Sequence, residues 1–374
     1  MISSLSGVLG FLIIFGAIVF VHEFGHYIVA KLSGMIVPNF SLGFGPPIFK
    51  WVRNGTTYAV RAIPLGGYVE IAGMEPSEND ETDEGKGLIS DYNNKPWFSK
   101  FAVIVAGAVM NFIFALLVII FIGMAIGELQ PGKDTYIGGV NPTSPAEKAG
   151  LQAGDKIVQI NETSNPSGDV IRDTIKNSPK EVSLVVDRLG QRVTVVVSPI
   201  EIRYPDRGNS LIYEIKTFHG IGVSLATSSG EFKRMGLIDS VVMGTRNISY
   251  IMMESVASIV SLVTGHVSLQ DLSGPVGIMR ISYGATKNAV SSLMGITSAL
   301  SLMAFLSVAI GFTNLLPFPA LDGGRLVFII WEGLRGKPVD RNKEAMVHMV
   351  GMAILLGLIL LITIKDVWMW VGGK

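Results

Sequence analysis

Residues 5–32 read LSGVLGFLIIFGAIVFVHEFGHYIVAKL, and the fold turns on this stretch. Leu5 to Val21 carries no charge, and the run leads into His22-Glu23-Phe24-Gly25-His26. A helix of about 20 apolar residues crosses a hydrocarbon core roughly 30 Å thick. On such a helix His22 and His26 stand four apart and project from one face. Two imidazoles so placed can hold one Zn²⁺ at roughly 2.0–2.1 Å. Glu23 lies about a third of a turn round and can reach a water beside the metal. His and Glu inside an apolar span carry a desolvation cost and mark function. The pattern therefore reads as two zinc ligands and a general base, rather than a chance His-Glu-x-x-His on an ordinary helix. The N-terminus lacks a basic segment and its apolar run continues into the motif, so it reads as a retained first span and not a cleaved signal.

The rest of the composition agrees with a membrane setting. Of 374 residues, 49 % are hydrophobic and 16 % charged, and that charged share is well below the usual quarter or so. Formal net charge is zero, which gives no overall field to favour nucleic acid. There is no cysteine, which excludes disulfides, thiolate ligands and a Cys nucleophile. The five histidines are at 22, 26, 219, 266 and 348, so an all-His metal site would draw on a sparse set.

Outward from the motif, residues 35–73 are rich in β-formers and punctuated by Gly and Pro. Ile48–Arg53 and Thr56–Ile63 flank Asn54-Gly55, a tight-hairpin dipeptide, and Asn39–Phe44 and Tyr68–Ile71 can add strands. This predicts a membrane-associated β-sheet whose edge can pair with an extended peptide, against the plainer reading of a connector. Residues 74–100 form a loop with an acidic run, Glu75 to Glu84, that reads as solvated. A second uncharged span covers 101–126, with Gly107 and Asn111 four apart on one face; that pair reads as helix packing before substrate contact.

From 127 to about 203 the chain turns soluble. Tyr136–Val140 reads as a strand, Ser144–Gly150 as a short capped helix and Val182–Asp187 with Arg192–Ser198 as a hairpin. The segment SPAEKAGLQAGDKIVQIN, 144–161, resembles part of a PDZ domain, which implies a groove for peptide tails. Within 204–292, Leu237–Gly265 has helical periodicity broken by Asp239, Arg246 and Glu254, and is expected to lie along the membrane surface as an amphipathic helix. A third membrane segment, 293–325, ends in NLLPFPALDGG, where Pro317 and Pro319 interrupt the helix. Broken backbone at membrane depth is tolerated where protein or water covers it, so this piece is expected to line the site. A loop over 326–344 and a last span over 345–374 complete a four-span chain.

The last loop is rich in Lys and Arg, which places it in the cytoplasm and the PDZ-like region outside. The first span then runs inward, and Asp322 falls at the same depth as His22 and His26. Asp before Gly usually caps a turn. The zinc motif, the broken helix and the shared depth together make Asp322 the expected third ligand. If Leu237–Gly265 spanned instead, Asp322 would sit at the opposite leaflet.

HEFGH in the first span, GGYV at Gly66–Val69, the PDZ-like segment, SGPVGI at Ser273–Ile278 and NLLPFPALDGG occur in one order along nearly the whole chain. The chain resembles the bacterial intramembrane zinc metalloproteases of the site-2 protease family, of the regulator-of-sigma type. The resemblance implies Zn²⁺ on His22, His26 and Asp322, with Glu23 as base. It implies substrate contact at Asn314, Pro317 and Pro319 and at Gly66, Gly67 and Tyr68 of the sheet. It further implies cleavage of single-span membrane proteins, such as anti-sigma factors or remnant signal peptides, at the bacterial cytoplasmic membrane, with the active site towards the cytoplasmic side. The best-known members carry two tandem PDZ domains, and here one is visible. The rival readings are a PDZ-containing membrane scaffold with a non-catalytic zinc site, and a transporter; the intact Glu23 argues against the scaffold, and four spans with a soluble insert argue against transport.

Overall fold

The computed structural model describes residues 2–74, 91–130, 132–141, 144–206, 214–227, 232–265, 274, 276–279, 282 and 293–371. The acidic run Glu75–Glu84 and much of the segment 266–292 lie outside the described residues. The chain divides into two compact units, Met1–Met124 with Gly236–Val256 and Val267–Lys374, and Ala125–Met235 with Ala257–His266.

The first unit is helical. Helix α1, Ile2–Leu32, stops where Gly34 takes φ 67 and the Met35 N–H reaches back to the Ala30 carbonyl at 2.9 Å. The α1 helix feeds two long bent strands, β1 (Asn39–Arg53) and β2 (Thr56–Glu70), joined through Asn54 and Gly55 at φ 49 and 73. The strands pair twice. Residues 49–53 close the hairpin on 56–60, while Asn39 to Leu42 lie between Thr57–Val60 and Gly67–Glu70. The base of the sheet packs on α1 through Val37, Ile71, Met35 and Ala30, all buried. The hairpin's far end exposes Ile48, Phe49, Trp51 and Val52. Such an apolar projection suits hydrocarbon better than water.

Helix α2, Trp97–Phe121, continues as a π turn over Ile122–Ile126. The second unit intervenes; it holds helices α3 (Pro145–Lys148) and α4 (Gly168–Lys176). Next come α5 (Leu237–Val263), which belongs to the first unit as far as Val256, and then α6 (Leu293–Asn314), α7 (Asp322–Arg335) and α8 (Arg341–Val371) of the first unit. Among the described residues, four helices are long and apolar enough to cross a membrane: Leu9–Leu32, Trp97–Ile126, Gly295–Asn314 and Asn342–Trp368. The protein is a polytopic helical membrane protein with β-sheet portions. Although α5 is not among those four, its residues Ser240 and Gly244 lie against Gly123 and against Leu116 and Ile119 of α2.

The third membrane segment is two helices and a bend. Pro317 has no N–H to offer and disfavours helix in the residue before it, so α6 ends at Asn314. The chain turns through Leu315–Leu321 and restarts at Asp322. Gly323 and Gly324 permit this, since a Cβ on either would run into the carbonyls of Leu315, Leu316 or Phe318. Helix α7 is tied to α2 by Lys100 Nζ on Glu332 Oε1 at 2.8 Å. The last helix, α8, is mostly exposed. It braces the bend through His348, whose Nδ1 accepts the Ala320 N–H at 3.0 Å, and through Gly351 against Pro319. Near its other end, Asp366 Oδ2 accepts the N–H groups of Gly274 and Gly277 at 2.9 and 3.0 Å, holding part of the SGPVGI stretch.

The second unit is built on a sheet ordered β11-β4-β5-β7-β8, in which β4 is Thr135–Val140, β5 Lys156–Ile160, β7 Val182–Arg188, β8 Gln191–Val197 and β11 Val223–Thr227; β6 (Thr163–Ser164) pairs with β5, β3 (Glu128–Leu129) with β12 (Phe232–Lys233), and β9 (Ile200–Asp206) with β10 (Glu214–Gly220). Ser144 caps α3 by accepting the Glu147 N–H, and α4 packs Ile171 and Ile175 onto the core of Ile137, Ile157, Leu184 and Val186. The unit runs to Met235, with β11 paired to β4. Pairing between strands some eighty residues apart leaves no trace in local composition.

Candidate active site

His22 and His26 are buried on one face of α1, as their four-residue spacing requires. The bend after α6 carries Asp322 to the same place. Asp322 Oδ2 lies 3.1 Å from His22 Nε2 and 3.3 Å from His26 Nε2, and the two imidazole nitrogens are 3.3 Å apart. Among the described residues, these three form the group able to hold a metal ion.

The triangle fits zinc. A tetrahedral ion with bonds of roughly 2.0–2.1 Å separates its ligand atoms by about 3.3–3.4 Å. Three lone-pair atoms facing one another at this spacing call for a cation between them. The donor set, two imidazoles and one carboxylate, suits zinc with a fourth position left open. His26 is prepared for the role: its Nδ1 lies 2.8 Å from the Val103 carbonyl of α2, so Nδ1 carries the proton and Nε2 keeps its lone pair.

Close helix contact makes this geometry reachable. A Cβ on Gly25 would overlap the Ala106 carbonyl, and one on Gly107 would overlap His26 Nε2 and sit 2.8 Å from His22 Cε1. Gly25 and Gly107 thus let α1 and α2 approach until a backbone carbonyl of one reaches an imidazole of the other.

Glu23, half-buried, faces the sheet. The Val69 backbone N–H is turned towards its carboxylate, and a Cβ on Gly67 would stand 3.1 Å from Glu23 Cγ. Gly67 and Val69 share the face of the strand turned to α1 because side chains alternate along a strand. Tyr68 points the other way, where its hydroxyl accepts from Arg61 at 2.7 Å. Gly66, at φ 97, packs against Phe44. Asn314, at the end of α6, puts Nδ2 3.1 Å from His22 Nε2. Pro317 is exposed, and Pro319 backs onto Gly351 of α8.

The Val103 carbonyl and the Val69 N–H are not legible in the sequence, since backbone groups have no residue signature. Gly107 and Asn111 were legible as a pair of small and polar residues in an apolar span, but their spacing alone does not distinguish helix packing from service to a metal site.

Comparison with known proteins places this arrangement. The family model for peptidase family M50 matches residues 10–358. The chain is 32 % identical to zinc metalloprotease RasP of Geobacillus kaustophilus, over 98 % of this chain and 99 % of that protein. It is 30 % identical to the regulator of sigma-W protease RasP of Bacillus subtilis, over 96 % and 98 %. A putative zinc metalloprotease of Fusobacterium nucleatum is 33 % identical over 95 % and 97 %. With the match running nearly end to end and the His-His-Asp cluster inside it, the chain belongs to peptidase family M50 and is a membrane zinc metalloprotease.

Proposed function

We propose that this protease binds Zn²⁺ through His22 Nε2, His26 Nε2 and Asp322 Oδ2, uses Glu23 as general base, and cuts single-span membrane proteins within the membrane. The observation that carries the reading is the triangle of donor atoms 3.1–3.3 Å apart, two of them on a helix apolar enough to span and the third at the start of α7, just past the end of another such helix. His22, His26 and Asp322 would hold the ion, which would supply Lewis acidity towards a scissile carbonyl and a water. The Glu23 carboxylate, beside the Val69 N–H, takes a proton from the attacking water and later delivers it to the leaving amine. The Asn314 amide beside His22 is a donor suited to a substrate carbonyl oxygen. A helical peptide bond is internally hydrogen-bonded and covered, so the substrate must unwind; the strand Gly67–Glu70 beside Glu23 offers backbone groups for an extended chain.

The substrates in this reading are anti-sigma factors or remnant signal peptides in regulated intramembrane proteolysis; a sigma-W regulator among the relatives supports the first. The second unit is read as a PDZ-like module for peptide tails. Its edge strand β11 lies at the end of the sheet, behind a turn where Gly222 takes φ 78. The chain is read as a multi-pass protein of the bacterial inner membrane, with this unit outside and the metal site towards the cytoplasm.

The test is cleavage of a tagged single-span substrate in liposomes by wild type and Glu23→Gln at matched zinc content. Wild type is expected to cut and Glu23→Gln to lose at least 100-fold in rate, the usual worth of a general base. Equal cutting by both removes Glu23 from the mechanism, and no cutting of any trimmed substrate by wild type removes the substrate class.

A further inference from the structure

The Asn111 side chain is fully buried where three helices meet. Ser307 Oγ of α6 donates to its backbone carbonyl at 2.9 Å, and Gly311 of α6 leaves its Cβ room. Its amide is turned to α1: Nδ2 lies 3.4 Å from His22 Nδ1, while Oδ1 has no hydrogen-bond partner among the described residues. A buried amide oxygen without a donor is uncommon and calls for an explanation.

His22 supplies one. Its Nε2 faces Asp322 and His26, so a metal there requires the lone pair on Nε2 and the proton on Nδ1. An Nδ1–H in this buried position needs an acceptor. An amide turned by 180° keeps its shape and exchanges Oδ1 with Nδ2, which brings the unpartnered oxygen onto that N–H. In the opposite orientation Nδ2–H donates to a bare Nδ1, Nε2 carries the proton towards Asp322, and His22 cannot ligate.

We infer that Asn111 is a positioning residue for the metal centre: its Oδ1 accepts the His22 Nδ1–H and fixes the tautomer that offers Nε2 to zinc. The inference rests on the zinc reading of His22. It makes α2 a rail for both ligands. Val103, Gly107 and Asn111 follow one another at four-residue intervals on one face of α2. The first gives a carbonyl to His26, the second stays bare to admit both rings, and the third gives an amide oxygen to His22.

The test measures zinc affinity of the full chain in detergent by chelator competition, for wild type, Asn111→Asp and Asn111→Leu. Leucine has the same number of side-chain heavy atoms and the same branching without an acceptor, and is expected to weaken zinc roughly 10–100-fold, the usual effect of losing such a partner, while aspartate stays within about threefold of wild type. Leucine binding as tightly as wild type overturns the inference, and so does aspartate falling as far as leucine, which marks a packing role. Leucine can unfold a helix junction, so a second measurement stands without it. In zinc-loaded, ¹⁵N-histidine-labelled protein, the ring resonance moved by Asn111→Asp should be a protonated Nδ1 beside a metal-bound Nε2; a bare Nδ1 there overturns the inference. Wild type that takes up no zinc at all overturns instead the ligand reading on which this rests.

Discussion

At the scale of single residues, the tolerance of the site is set at Gly107. One added methyl there occupies space held by His26 Nε2. Because α2 is packed against α1 at Gly25, backbone cannot yield cheaply. Gly107→Ala is therefore expected to lower zinc affinity by at least about tenfold, read by chelator competition, as loss of ligand orientation does. Gly16→Ala on α1, whose added Cβ meets nothing within 4 Å, is the control and should bind zinc as wild type does. The motif residues themselves were legible from spacing alone; the space around them was not, because it depends on a helix some eighty positions later.

At the scale of elements, the bend between α6 and α7 is the part under strain. Ala320 takes φ 83, a region that costs a residue with a side chain about 1 kcal/mol or more. What holds it is α8, through His348 on the Ala320 N–H. His348→Ala leaves that N–H without its acceptor and is expected to cost about 1–3 kcal/mol, read as a lower thermal midpoint in detergent, with weaker zinc binding because Asp322 follows two residues later. Asn at this position keeps an acceptor near Nδ1 and should recover most of the loss. The prolines announced a broken helix in the sequence, but the brace from α8 did not show there. In the same way Asn54-Gly55 announced a hairpin, and the second pairing that sets Gly67 and Val69 over Glu23 arises only when the strands fold back.

At the scale of the whole molecule, the second unit has an ion pair of its own. In the second unit Asp155 is buried, and Arg188 binds it through Nε and Nη2 at 2.8 and 2.7 Å. Burial pushes the carboxyl up, but the hydrogen bonds from Arg188 and the Gln152 N–H outweigh it and hold the group below its usual value. A group lowered on folding adds stability above its unfolded value and loses it as pH falls towards the folded one. Amide protection of β5 and β7 is expected to drop as pH falls below about 4. Asp155→Asn should be weaker by about 1–3 kcal/mol at neutral pH and flatter in acid, read by hydrogen exchange on the full chain. The orientation of the membrane unit can be tested cleanly because the chain has no cysteine. An impermeant maleimide should label Leu189→Cys, on the exposed β7–β8 turn, in intact cells, and Lys337→Cys only after lysis; the reverse pattern inverts the proposed topology.

The sequence by itself determined the membrane class, the spans, the two imidazoles on one helix face and the hairpin turn. Each follows from interactions within a few residues, or from the cost of placing charge in hydrocarbon. Asp322 was legible too, as the expected third ligand; only the tertiary structure brought the Val103 carbonyl, the Val69 N–H and the Asn111 amide beside the motif. These groups come from segments far apart in the chain. They meet because Gly25, Gly107, Gly311 and Gly323 remove the side chains that would hold the backbones apart. Packing at that distance depends on shape on both sides of a contact, and a linear pattern records one side at a time.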